Sequence, residues 1–355
     1  MKINLAILEK DTGYMNKLVS VFNRKYADKI QVYSFTEPEA AYATLRTTKV
    51  DVMVASDLFD IDMSRIPPRC GFAYFADTDD IDSINDRRAI CKFQKVDLIY
   101  KQILSVYSDH AKNVLSVKLA DSACRLIAFC SPSGGSGSSS VSVAAAMRYA
   151  SAGHRTLYLN LEKFGSADNY FSAEGQFDFS DIIYALKSNK ANLGMKLESC
   201  VKQDSCGVNY YSASKQSPDM LELRCEEIGR LLEELQLMGS YDYIFADMDF
   251  EMTDAFLNLL KRFHAVVVTG TGSSSSNYKI CRMYDALRIK ENETKSSVLD
   301  RMCLLYNKFS SKTSRLLNGV DIRNIGGIPN CENATDERIA AQISGMAVLD
   351  HILPE

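Results

Sequence analysis

The sequence predicts an α/β protein built from two doubly wound, parallel-sheet domains in tandem. Short apolar runs alternate with helix-like stretches at close intervals through the first half, the sequence habit of a parallel sheet. A polar passage poor in aromatics, Ser108 to Arg125, interrupts that alternation. It then restarts at residues 126–150, LIAFCSPSGGSGSSSVSVAAAMRYA, an apolar run, a Gly/Ser turn and an Ala-rich helix.

The first half opens with an apolar strand at residues 2–8, then a helix from Gly13 to Tyr26, a strand at Ile30–Ser34 and a helix opened by Thr36-Glu37-Pro38-Glu39. Strands follow at Val50–Ala55, Gly71–Phe75 and Ala89–Phe93, and Val96–Tyr107 reads as a closing helix. These elements place one domain at residues 1–110, a linker at 111–124 and a second domain at 125–355.

In the second domain the strand Leu126–Cys130 leads to a helix, Ser139–Ala152, closed by Gly153 in the position helices favour for glycine. Further strands are expected at Thr156–Leu161, Val208–Tyr211, Tyr243–Ala246, Ala265–Thr269, Met302–Tyr306 and Ile325–Ile328. Helices are expected at Leu221–Met238, Asp254–Arg262, Tyr278–Lys290 and Ala334–Leu353, and the serine run 273–276 reads as a loop.

Composition narrows the function classes. At 355 residues, 46% apolar and 24% charged, the chain reads as a soluble globular protein. A net charge of −4 gives no reason to expect nucleic acid or anionic membrane as the main partner. No basic start followed by an apolar core suggests a signal peptide or membrane span, so a cytoplasmic protein is expected. The ten cysteines are scattered without C-x-x-C spacing, which argues against zinc, iron–sulfur or disulfide chemistry.

The loop SPSGGSGSSS has the layout of a phosphate-binding P-loop between strand and helix, where backbone amides and the helix N-terminus face an anion. Gly134, Gly135 and Gly137 supply the tight backbone. Ser138 stands where such a loop carries its lysine, and Ser139 and Ser140 stand where it carries the magnesium-binding hydroxyl. The bland alternative is a Gly/Ser linker.

Ser133-Gly134-Gly135-Ser136-Gly137-Ser138-Ser139-Ser140 resembles the deviant P-loop K-G-G-x-G-K-[ST]-[ST] of ParA/MinD-like ATPases, with both family lysines replaced by serine. LYLNLEKFGSAD (157–168), YDYIFAD (241–247), VVVTGTGSSS (266–275), LLYNK (304–308) and IGGIPN (325–330) fall in the order of that family's landmarks. Glu162 stands 24 residues after Ser138, the interval the family keeps between loop lysine and its second acid. A receiver-like domain ahead of this ATPase resembles the TadZ/CpaE group, which helps place and assemble Tad-type (Flp) pili at a cell pole.

The resemblance implies ATP and Mg²⁺ as ligands and assigns roles by position. Ser133 through Ser140 would cradle the phosphates. Ser139 would offer its hydroxyl to Mg²⁺, and Asp247 would hold the metal directly or through a water. Glu162 would position the attacking water, and Asn160 takes the place of the family's first acid. Asn307 would read the adenine edge, with Pro329 and Asn330 lining the base pocket. Each has a plainer reading, as a strand-end acid for Asp247, a solvated surface residue for Glu162 and a strand-end cap for Asn307. A charge-assisted hydrogen bond is worth about 1.5–3 kcal/mol. Loss of two lysines therefore weakens ATP binding by roughly 3–6 kcal/mol and slows hydrolysis further, because those charges act mainly on the transition state.

A receiver domain uses an acidic pair after its first strand, a phosphorylatable Asp ending the third, a hydroxyl ending the fourth and a lysine ending the fifth. Here those places read Glu9-Lys10, Ser56 with Asp57 one residue late, Ala76 and Lys95. Without the acid pair and a carboxylate in place, phosphotransfer lacks its metal and nucleophile; a one-residue shift would restore Asp57. Protein recognition is the role left for such a domain. The expected partners are a second copy of the chain and pilus-assembly or polar proteins. Localisation at a pole, or at the membrane through partners, is implied. The end of the chain, GMAVLDHILPE, has none of the basic amphipathic character of MinD membrane helices, and no Lys/Arg cluster suggests DNA binding. The rival readings are a slow but genuine positioning ATPase and a scaffold that binds no nucleotide.

Overall fold

The computed structural model describes residues 2–110, 124–188, 192–294, 297–331 and 334–353. Of the expected linker 111–124, all but Cys124 lies outside the described residues. The chain divides into two compact units, residues 1–117 with 187–200 and residues 118–186 with 201–355.

The first unit contains β1 (Ile3–Leu8), α1 (Thr12–Lys25), β2 (Ile30–Phe35), α2 (Pro38–Thr47), β3 (Val52–Ser56), β4 (Gly71–Ala76), β5 (Ser83–Ile84), β6 (Arg87–Cys91) and α3 (Val96–His110). Its sheet runs β2-β1-β3-β4-β6-β5, parallel except for the β5–β6 hairpin. Without β5 this is the flavodoxin-like doubly wound order. The strand pleat explains why nearly every residue of β1 and β3 is apolar. Leu5, Ile7, Val52 and Val54 pack with α1 and α3, while Ala6, Leu8, Met53 and Ala55 pack with Ala41, Tyr42 and Leu45 of α2. A sheet covered on both faces needs apolar residues on both.

The alternation is less regular than the sequence suggested. Between β3 and β4 only a 3₁₀ turn forms, at Met63–Arg65, and between β4 and β6 a hairpin replaces a helix. Asn85 and Asp86 make its two-residue turn at φ 49° and 58°, a conformation that these side chains tolerate.

The second half of the chain contributes β7 (Arg125–Cys130), α4 (Ser138–Ser151), β8 (Thr156–Asn160), α5 (Phe179–Lys187), α6 (Leu193–Cys200), β9 (Lys202–Gln203), β10 (Asn209–Tyr210), α7 (Ser217–Leu221) and α8 (Cys225–Leu237). It continues with β11 (Tyr243–Asp247), α9 (Asp254–Leu260), β12 (Ala265–Gly270), α10 (Ser274–Thr294), β13 (Met302–Phe309), β14 (Arg323–Pro329) and α11 (Asp336–Ser344). The sheet order is β14-β13-β12-β7-β11-β8-β10-β9, parallel except at β9. α4 buries Val141, Val143 and Ala144–Ala146 completely. Its alanines are what let it lie close to the sheet with α11 packed against it.

Three expected helices take a different form. The helix expected at Leu221–Met238 starts later, at Cys225, because Arg224 is extended and its N–H is capped by the Glu227 carboxylate at 2.9 Å; Leu221 instead ends the short α7. The serine run is the start of α10, with the Ser273 hydroxyl accepting from Ser276 N–H at 3.2 Å, the usual way serine begins a helix. The last helix stops at Ser344, and after Gly345 and an extended Met346 a 3₁₀ turn covers Ala347–His351.

α6 was not anticipated from sequence. It is counted with the first unit, where the buried Lys196 ammonium donates to Ser105 Oγ of α3 at 2.9 Å and Tyr100 donates to Glu198 at 3.3 Å. Leu197 is fully buried.

Candidate functional site

β7 ends in the loop that leads into α4, and its neighbours in the sheet are β12 on one side and β11 on the other. Ligands of doubly wound sheets bind at such a switch point, off the strands' carboxyl ends. Gly135 and Gly137 adopt φ 74° and 78°, which glycine accepts without strain. At Gly137 space is also limiting, since a Cβ would lie 2.4 Å from Asn307 Nδ2. The Ser131 hydroxyl donates to the Thr269 carbonyl at 2.7 Å and accepts from Ser133 N–H at 3.1 Å, tying the loop to β12. Ser133 and Ser136 are buried while Gly134 and Gly135 are exposed. The Ser138 hydroxyl is buried without a hydrogen-bond partner, and the Ser140 hydroxyl lies 3.3 Å from the Tyr170 hydroxyl.

Strand register brings the acids to the foot of α4. Asp247 ends β11 opposite Phe129 of β7 and Asn160 of β8. The Ser139 hydroxyl donates to Glu162 at 3.1 Å. Asn160 donates to Glu162 at 3.4 Å and to the Tyr158 hydroxyl at 3.2 Å, and Tyr158 donates to Asp247 Oδ2 at 2.9 Å. Asp247 is completely buried, and its Oδ1 has no partner. Burial and the Glu162 charge push the Asp247 carboxyl well above the ordinary carboxylate range, against the pull of the Ser139 and Tyr158 hydroxyls.

This donor set fits a divalent cation. A metal at the bare Asp247 oxygen would satisfy the buried atom and offset the crowding of two carboxylates. Among the described residues no group of three or more His, Cys, Asp and Glu gathers as a metal cluster. Mg²⁺ does not require one, because it binds through one or two carboxylates and completes its shell with water and phosphate oxygens.

Asn307 is buried and donates to the Ser136 carbonyl at 2.9 Å, so in this state its amide clamps the loop. Next to it Lys308, which the sequence reading passed over, donates to the Gly135 carbonyl at 2.9 Å. Pro329 pairs with Phe309 and so shares the strand end of Asn307; Pro329 and Asn330 are exposed.

In the first unit Glu9 and Ser56 are buried at the ends of β1 and β3, and Asp57 is exposed. The Ser56 hydroxyl accepts from Leu58 N–H at 3.4 Å. The ammonium beside Glu9 is that of Lys92. β6 ends at Cys91, so Lys92 is the residue whose ammonium reaches Glu9 at 3.5 Å and Asp77 at 2.6 Å, whereas Lys95 lies at the start of α3, its carbonyl accepting from Leu98 N–H. Burial opposes the Lys92 charge, but Asp77 and Glu9 hold its ammonium above the usual lysine range. A lysine lies beside the one retained acid, and Ala76 stands at the hydroxyl position.

Residues 1–108 match the family model for the TadZ-like receiver domain. Solved structures similar to the chain include a ParA family ATPase from Chlorobium tepidum TLS, 17% identical over 65% of this chain and 98% of that one, TM-score 0.49. The MinC:MinD cell division complex of Aquifex aeolicus is 16% identical over 64% and 93%, TM-score 0.46. MinD with Mg-ADP from Pyrococcus horikoshii OT3 is 11% identical over 62% and 94%, TM-score 0.46. No curated protein matches the chain by sequence. No helix among the described residues is long and apolar enough to cross a membrane.

Proposed function

We propose that the chain is an ATP-binding localisation and assembly factor for a Tad-type pilus. In this reading Mg-ATP occupies the loop 133–140, favours a homodimer, and is hydrolysed slowly or not at all. The observation that carries the nucleotide reading is the fully buried Asp247 carboxylate with an unpartnered oxygen, beside Glu162 and Ser139, at the foot of a glycine loop that opens a helix. Ser139 and Asp247 would hold Mg²⁺, which neutralises phosphate charge, and Glu162 would orient water. Neither Ser133 nor Ser138 supplies a cation, which limits transition-state stabilisation. The pilus role is supported by the TadZ-like receiver domain; that domain, lacking a carboxylate at Ser56, would serve as a docking module for polar or pilus-assembly proteins.

Nucleotide that binds the dimer better than the monomer shifts the equilibrium by mass action. Sedimentation velocity with Mg-ATP should show the monomer converting to dimer while phosphate release stays near background. Absence of both a dimer shift and any thermal stabilisation at several millimolar Mg-ATP would leave only the nucleotide-free scaffold. Deletion of the gene should abolish surface pili; unchanged piliation would sink the pilus role.

A further inference from the structure

We propose that Lys308 supplies the cationic side chain that the glycine loop itself lacks, and that it binds the phosphate chain of the nucleotide. This rests on the reading of the loop as a nucleotide site. Residues 131–140 contain no charged side chain, so a phosphate there would meet only backbone amides, hydroxyls and the helix terminus. Lys308 brings an ammonium to the same loop from a different strand.

The backbone of β13 is built to do this. Successive residues of a regular strand point to opposite faces, yet Asn307 and Lys308 both reach the loop, at the carbonyls of Ser136 and Gly135. The pairing of β13 with β14 shifts register between Tyr306 and Phe309, and Lys308 sits within that irregularity at φ 55°. Bulges of this kind re-aim side chains next to functional sites. A left-handed backbone at a residue other than glycine is strained and persists where surrounding structure holds it. The Lys308 Cε lies 3.7 Å from where a Gly137 Cβ would stand, so the side chain crosses the loop directly before Ser138, the position of the missing lysine. Among the described residues no carboxylate lies within ion-pair distance of Lys308, which is exposed. One of its three N–H groups meets a neutral carbonyl, and the others remain for an anion.

Isothermal titration of wild type, Lys308→Gln and Lys308→Arg with Mg-ATP and with adenosine tests this. Glutamine retains an N–H for the Gly135 carbonyl but carries no charge. Its Mg-ATP affinity should fall roughly tenfold to a hundredfold, with adenosine affinity unchanged and arginine restoring most of the loss. Equal Mg-ATP affinity in wild type and Lys308→Gln overturns the assignment and leaves the nucleotide reading intact. Parallel loss of adenosine binding also overturns it, since that marks a structural strut. A wild type that binds no Mg-ATP overturns both readings together.

Discussion

Buried ionic residues govern both sites, and their stability effects run in opposite directions. Glu9 is 1% exposed and its carboxylate faces Lys92 at 3.5 Å. Lys92→Met leaves that acid buried without its cation, a loss of about 3–5 kcal/mol that urea unfolding should register. Asp247 is the reverse case. Its carboxyl is held well above the ordinary range by burial and Glu162, so in the ligand-free protein at neutral pH the ionised form disfavours folding. Asp247→Asn should therefore raise the melting temperature without ligand, by about 1–3 kcal/mol in stability, and abolish added stabilisation by Mg-ATP. A variant that melts lower without ligand would show that the carboxylate supports the fold.

The elements differ in how well sequence announces them. The strands β1, β3, β7, β11 and β12 are mostly apolar runs, legible because both of their faces are covered. The strand β5 and the helix α6 were not, for local reasons: a two-residue strand carries no periodicity, and α6 has only eight residues. Contacts with α3 hold α6 in place, and contacts between distant segments leave no local pattern. Leu197→Ala should cost about 2–5 kcal/mol, read by urea denaturation; a change under about 0.5 kcal/mol would mean that α6 contributes little to its unit. Lys92 directs its ammonium to Glu9 and Asp77 while its N–H still donates to the Ala76 carbonyl of β4, partners that the linear order does not reveal.

For the whole molecule, the first unit keeps receiver topology with a serine at the end of its third strand. Ser56 is buried at the strand end and Asp57 is exposed. Incubation with acetyl phosphate and Mg²⁺ should leave the intact mass unchanged, whereas a gain of one phosphoryl group that Asp57→Asn removes would restore the phosphorylation reading. The second unit places its glycine loop at the strand ends of an eight-stranded sheet.

The sequence by itself determined the two-domain α/β organisation, the glycine loop with its missing lysines and the order of Glu162, Asp247 and Asn307. Those features rest on hydrophobic period and on glycine, which act locally along the chain. Tertiary structure alone decided that Asp247 is left with a bare buried oxygen, that Lys92 pairs with Glu9, that Leu193–Cys200 joins the first unit, and that a bulge carries Lys308 to Gly135. Each of these depends on strand register or packing between residues far apart in sequence, where burial and charge are set by neighbours that the linear order does not reveal.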